Sequence, residues 1–78
     1  MVELNVIQNI IAGILHVDPR EAVEKATFDK DLAADSLDMF QIVSKAEDYY
    51  GLQIRDEEMK DLICVQDLID RLEAKQKK

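Results

Sequence analysis

Cysteine occurs once in the 78 residues, as Cys64. A single thiol closes no intramolecular disulfide and supplies no zinc quartet, so a disulfide scaffold and a structural zinc site are both excluded. The plain reading is a buried or half-buried thiol in a reducing compartment. Basic residues are also scarce: 10 Lys and Arg stand against 17 Asp and Glu, a formal charge of −7. A sequence-independent nucleic-acid binder needs clustered Lys and Arg to displace counterions, and an anionic membrane surface asks for the same. No nucleic-acid partner and no membrane insertion are therefore expected. No apolar run approaches the length of a bilayer span, and no basic segment leads into an apolar stretch with a cleavage site. The expectation is a cytoplasmic, monomeric protein. His16 is the only histidine, and Gly13 and Gly51 are the only glycines, so no Gly-rich phosphate loop occurs. A freestanding enzyme lacks its usual parts here: a base, a metal set and a phosphate cradle.

What remains is a short acidic chain, expected to form one domain over 1–78. A domain of this size buries roughly 60–65% of its unfolded surface, so its core is thin. Binding, carrying and presenting suit it better than a deep catalytic cleft. The acidic surface attracts basic protein partners over a distance set by salt, or it simply keeps a small protein dissolved.

Apolar spacing places the helices. Leu4, Ile7, Ile11 and Leu15 recur at intervals of three and four, which predicts a first helix over Val2–Leu15. Gly13 inside it costs roughly 1 kcal/mol relative to alanine, unless a tight contact requires it. Asp18-Pro19-Arg20-Glu21 has the cap, the proline and the reciprocal Glu of a helix start, and predicts a short turn reaching towards Lys25. The connection 26–34 has no period, and Phe28 and Leu32 should anchor it inward. A second helix is predicted from Ser36 to about Tyr50, capped by Asp35 and ended by Gly51, with Met39, Ile42, Val43, Ala46 and Tyr50 inward. Leu52-Gln53-Ile54 is too short to make a sheet alone and reads as a connector. Asp56–Leu62 is a short acid-led helix, and Val65–Ala74 is the last, with Val65, Leu68, Ile69 and Leu72 on one face. The fold class expected is all-α: a small four-helix bundle of three longer helices and one short one, with a long first connection.

The candidate site is the start of the second helix. Asp35-Ser36-Leu37-Asp38 presents one hydroxyl at the positive end of a helix dipole, where an anion is stabilised. Ser36 has no evident base beside it and reads as an attachment point for a phosphate-linked group rather than as a nucleophile. Asp29, Asp31 and Asp35 are spaced like the start of a calcium loop, but Ala34 takes the glycine position and Phe40 that of the closing Glu, so no metal site is expected. Leu37 and Phe40 have little claim on the core; they are ordinary surface residues or a docking patch rimmed by acid.

Over Leu32-Ala33-Ala34-Asp35-Ser36-Leu37-Asp38 the chain resembles the acyl carrier proteins of dissociated fatty-acid synthesis, and the likeness extends along essentially the whole length. The resemblance implies that a phosphopantetheinyl transferase attaches 4′-phosphopantetheine from coenzyme A to Ser36, and that the thiol of this arm carries acyl chains. It implies partner recognition by Asp35, Leu37, Asp38, Phe40, Gln41, Glu47 and Asp48, facing fatty-acid synthesis enzymes with basic docking patches. It implies an interior that encloses the acyl chain, with walls from Phe28, Met39, Ile42, Val43, Ile54, Ile63 and Leu68. The chain departs from the family pattern at Ala33, where glycine is usual, at Gln41, where a Glu is common, and at Phe40, Ser44 and Lys45. Ile63 and Cys64 fall where Thr is usual before the last helix, so that cap should be weaker. A carrier of polyketide, modified-lipid or aminoacyl cargo is the alternative reading, and an unmodified helical adaptor is another.

Overall fold

The structure, a computed structural model, describes residues 1–77. Helix α1 spans Leu4–Leu15, a 3₁₀ turn covers Pro19–Glu21, α2 spans Ser36–Tyr50, α3 spans Asp56–Met59 and α4 spans Val65–Gln76. α1 packs against α2, the 3₁₀ turn and α4. This is the all-α bundle expected, with three longer helices, one short one and the long first connection.

The boundaries follow local chemistry. α1 starts two residues later than the apolar pattern suggests, since Glu3 at its N-cap makes no side-chain cap. Val2 is nevertheless buried, and its N–H donates to Glu73 on α4. Ile7 and Ile11 are fully buried, while Leu4 and Leu15 are only half-buried at the helix ends. His16 closes α1 in the left-handed region, exposed, with its N–H on the Ala12 carbonyl. A Cβ on Gly13 would meet nothing within 4 Å, so no tight contact explains that glycine. The Asp18 turn has the expected reciprocal cap with Glu21 but stops there, short of Lys25: Ala22 leaves helical geometry, and its fully buried side chain turns the chain inward. α2 runs over the predicted residues, and Gly51 ends it at φ 65°.

The connection from Ala22 to Asp35 is packed. Ala22, Ala26, Phe28, Leu32 and Ala34 all join the core. The middle of this segment is stitched to the α3–α4 link: the Phe28 N–H donates to the Ile63 carbonyl at 2.9 Å, and the Val65 N–H donates to the Ala26 carbonyl at 3.0 Å. Thr27 and Cys64 form an isolated antiparallel bridge between them. Leu52–Ile54 is a connector, as its length required, with Ile54 buried.

Two carboxylates tie the second half together. Glu58 on α3 accepts the Arg55 N–H at 2.8 Å and reaches Arg71 and Lys75 on α4 at 3.2 and 3.0 Å. Asp67 on α4 accepts the N–H groups of Ile63 and Cys64 at 3.0 and 3.1 Å. The third residue of the last helix thus reaches back to the two N–H groups that precede the helix. The Arg55 N–H, then Lys75, hold the Glu58 carboxyl below its ordinary range. The Cys64 and Ile63 N–H groups do the same for Asp67.

A pH prediction follows. A carboxyl whose pKa is lowered by folding binds fewer protons in the folded state, so stability rises with pH through that range. The contribution is present above the ordinary carboxyl values of about 4. It is lost as pH falls through the lower folded values. Thermal midpoints should be flat from neutral pH down to about 5 and fall steeply below about 4. Glu58→Gln and Asp67→Asn should each lower the neutral midpoint and make the acid fall shallower. An unchanged acid slope in both variants would remove these two groups as its cause.

Candidate functional site at the start of helix α2

Ser36 is the first residue of α2 and is exposed. Asp35 before it and Asp38 after it bond reciprocally: the Asp38 N–H donates to Asp35 Oδ1 at 2.8 Å, and the Asp35 N–H donates to Asp38 Oδ2 at 3.3 Å. The Met39 N–H donates to the Asp35 carbonyl. Among the described residues the N–H groups of Ser36 and Leu37 have no partner and are left as the unpaired donors of the first turn. The helix end is thus held rigid by its two acids, while two donors beside the hydroxyl stay free for an anion.

Ala33 sets the approach to this end. It lies at φ 54°, a left-handed conformation that glycine adopts without strain. The loop keeps the glycine geometry with a Cβ in place. Left-handed geometry costs a non-glycine residue roughly 1–2 kcal/mol. A new glycine would return roughly 0.4–1 kcal/mol of that through greater freedom of the unfolded chain. Ala33→Gly should therefore stabilise the protein by about 0.5–1 kcal/mol in urea denaturation. A loss of stability would mean that the Ala33 methyl makes a contact worth more than the strain.

A groove of about 260 Å³ opens beside Ser36. Its apolar walls are Phe28, Ala34, Met39, Leu62 and Ile63, and Lys60 also lines it. Of the expected enclosing residues, Phe28, Met39 and Ile63 line this groove. Ile42, Val43, Ile54 and Leu68 do not; they lie in the closed core. Lys60, Leu62 and Ala34 were missed by the sequence reading. Lys60 and Leu62 carry no motif, and only the packing that follows α3 brings them to Ser36, whereas Ala34 lies two residues before it.

The expected recognition residues fall into two groups. Leu37 and Phe40 are 63% and 55% exposed. Phe40, Gln41 and Asp48 line a second groove of about 260 Å³ together with Ile14, Ser44 and Lys45. Three of the residues that depart from the family pattern, Phe40, Ser44 and Lys45, thus share one surface with Gln41. Glu47 is different. Its carboxylate accepts the Ile54 N–H at 2.6 Å, and its carbonyl accepts the N–H groups of Gly51 and Leu52. It anchors the end of α2 to the next connector and is half-buried. One oxygen of its carboxylate is thereby engaged within the protein.

The other acids of the loop also have local duties. Asp31 accepts the Thr27 N–H at 2.8 Å, and Asp29 accepts the Lys30 N–H at 2.8 Å. Among the described residues no group of three His, Cys, Asp or Glu side chains is arranged to hold a metal ion. No helix of the described residues is long and apolar enough to cross a membrane.

An exposed hydroxyl, two free N–H groups and an apolar groove suit a phosphate-linked group with a long tail. Comparison with known proteins gives that group its identity. Residues 5–72 match the family described as "Phosphopantetheine attachment site". An acyl carrier protein of Thermosynechococcus vestitus is 40% identical over 72 residues, covering 92% of this chain and 89% of that protein. One from Rubrobacter xylanophilus is 39% identical over 67 residues, covering 86% of this chain and 83% of that protein. The solved structure of an acyl carrier protein from Enterococcus faecalis superposes with a TM-score of 0.76 at 24% identity, covering 92% of this chain and 91% of that one, which shows the shared fold. The chain belongs to the phosphopantetheine attachment-site family, with the acyl carrier proteins, and is a carrier rather than an enzyme.

Proposed function

We propose that Ser36 is the attachment residue, and that the chain carries acyl groups for fatty-acid synthesis in the cytoplasm as a monomeric single-domain carrier. In the loading step a transferase removes the Ser36 proton. Oγ forms a bond to the pantetheine-side phosphorus of coenzyme A, and the pyrophosphate linkage breaks. The adenosine bisphosphate leaves with the bonding electron pair. The arm, when attached, supplies a terminal thiol that holds an acyl group as a thioester. The protein's own residues do the rest. The free N–H groups of Ser36 and Leu37 meet the phosphodiester. Asp35 and Asp38 keep the helix end in place. Phe28, Met39, Leu62 and Ile63 offer an apolar track for the tail. The observation that carries this reading is the exposed Ser36 hydroxyl on the first turn of α2, opening onto that track.

Leu37, Phe40, Gln41 and Asp48 form the surface offered to partner enzymes with basic patches, including the transferase. Acid–base contacts at a rim speed encounter more than they hold, which suits a carrier that must leave again. The test is intact mass after incubation with a promiscuous transferase and coenzyme A. Gain of one phosphopantetheinyl group supports the reading, and an unchanged mass defeats it. A second reading, a carrier of polyketide, modified-lipid or aminoacyl cargo, draws on the α2 surface, where Phe40, Gln41, Ser44 and Lys45 make a less acidic face. Loading assays across acyl and aminoacyl groups separate the two, since preference for an amino acid would defeat the fatty-acid role.

A further inference from the structure

Lys60 immediately follows α3 and lines the same groove as Ser36. It is exposed. Among the described residues it makes no ion pair; around α3 those are made by Arg55, Arg71 and Lys75. The other charged groups of the groove are Asp29 and Asp35. Each already has a backbone partner, Asp29 in the Lys30 N–H and Asp35 in the Asp38 N–H. A phosphodiester on Ser36 would bring a third negative charge to this place. The two free N–H groups of α2 offset part of it. Among the described residues Lys60 is the one cation lining the groove, and it comes from the α3 side rather than from α2.

We propose that Lys60 holds the phosphodiester carried on Ser36 and so lays the first part of the arm across the groove against Ile63. This rests on Ser36 being the attachment residue. The contact bridges α2 to the end of α3 through the cofactor. Ile63, 62% exposed beside it, gains an apolar neighbour in the arm. A lysine suits the task because its ammonium is a point charge on a flexible stem that can follow a mobile phosphate. An exposed pair of this kind is weak and screened by salt, which lets a partner enzyme lift the arm away.

The test uses the loaded protein, its Lys60→Gln and Lys60→Arg variants, and phosphorus and proton NMR. Intact mass first establishes one phosphopantetheinyl group on each. Amide spectra of the three unloaded proteins should agree away from residue 60, because the side chain is exposed. In the loaded proteins the phosphorus resonance should shift on Lys60→Gln and return on Lys60→Arg. The difference should vanish in about 1 M salt, where the screening length is about 3 Å. Contacts between the pantoyl methyl protons and the Ile63 methyls should be present in the unsubstituted protein and lost in Lys60→Gln. If all three load but phosphorus shift and methyl contacts are the same in each, the Lys60 contact is overturned while the Ser36 reading stands. If the unsubstituted protein fails to load, the Ser36 reading falls and this proposal with it.

Discussion

Ser36→Ala is expected to abolish phosphopantetheine loading altogether. The chain has two serines and one threonine, Ser36, Ser44 and Thr27, so only three aliphatic hydroxyls could accept the phosphoryl group. Thr27 is committed to the loop: its hydroxyl bonds Asp31 at 3.2 Å, and its N–H donates to the same carboxylate at 2.8 Å. Ser44 lies in the middle of α2, half-buried, where the neighbouring N–H groups are spent on helix hydrogen bonds. Ser36 alone combines exposure with free donors. Its replacement by alanine should leave the fold intact, because the first-turn position is exposed and alanine is the best helix former. The experiment compares intact mass after transferase and coenzyme A for the unsubstituted protein, Ser36→Ala and Ser44→Ala. Full gain in the first and third with none in the second is the expected pattern. Any gain in Ser36→Ala, with an unchanged helical circular dichroism spectrum, would place the arm elsewhere.

The start of α2 was legible because everything that defines it is local. An Asp cap, a reciprocal acid three residues on and a glycine after Tyr50 bound α2 within a short stretch of chain, and the structure places both ends there. The Asp18 turn was legible for the same reason. What escaped is non-local. Lys60 and Leu62 meet Ser36 across the groove from far along the chain, and neither leaves a periodic trace. Glu47 reads from sequence as one more exposed acid; only the return of the connector brings the Ile54 N–H under its carboxylate. Glu58, in an acid-rich first turn, gave no sign that Arg71 and Lys75 would close on it from α4. The Thr27–Cys64 bridge joins two stretches without strand patterning. In a chain this short the hydrophobic face of each helix is readable, but polar groups that stitch one element to another depend on the packing itself. This distinction divides the acids of α2: Asp35 and Asp38 act within one turn, whereas Glu47 serves a segment beyond the helix.

The second large effect is expected from Leu68→Ala. Leu68 has no exposed surface and lies on the α4 face with Val65, Ile69 and Leu72. Replacing a buried leucine by alanine costs roughly 2–5 kcal/mol, combining lost transfer energy with the cavity left behind. The whole stability of a domain of this length is roughly 4–12 kcal/mol. One substitution thus removes a large fraction of what holds the bundle together. The urea midpoint should fall sharply with an unchanged slope. Ile63→Ala, at an exposed position, should stay within about 0.5 kcal/mol. A small effect at Leu68 would mean that α4 collapses into the space. The variant also probes the cargo. Phe28, Met39 and Leu62 line the groove beside Ser36, whereas Leu68 does not line it and belongs to the closed core. A chain longer than the groove either takes space from that core or runs on over the surface, and each methylene buried in the core contributes about 0.8 kcal/mol. Leu68→Ala opens such space in advance. Loading with a long acyl group should therefore raise the midpoint of Leu68→Ala more than that of the unsubstituted protein. Equal gains would place the acyl chain along the surface groove, outside the bundle.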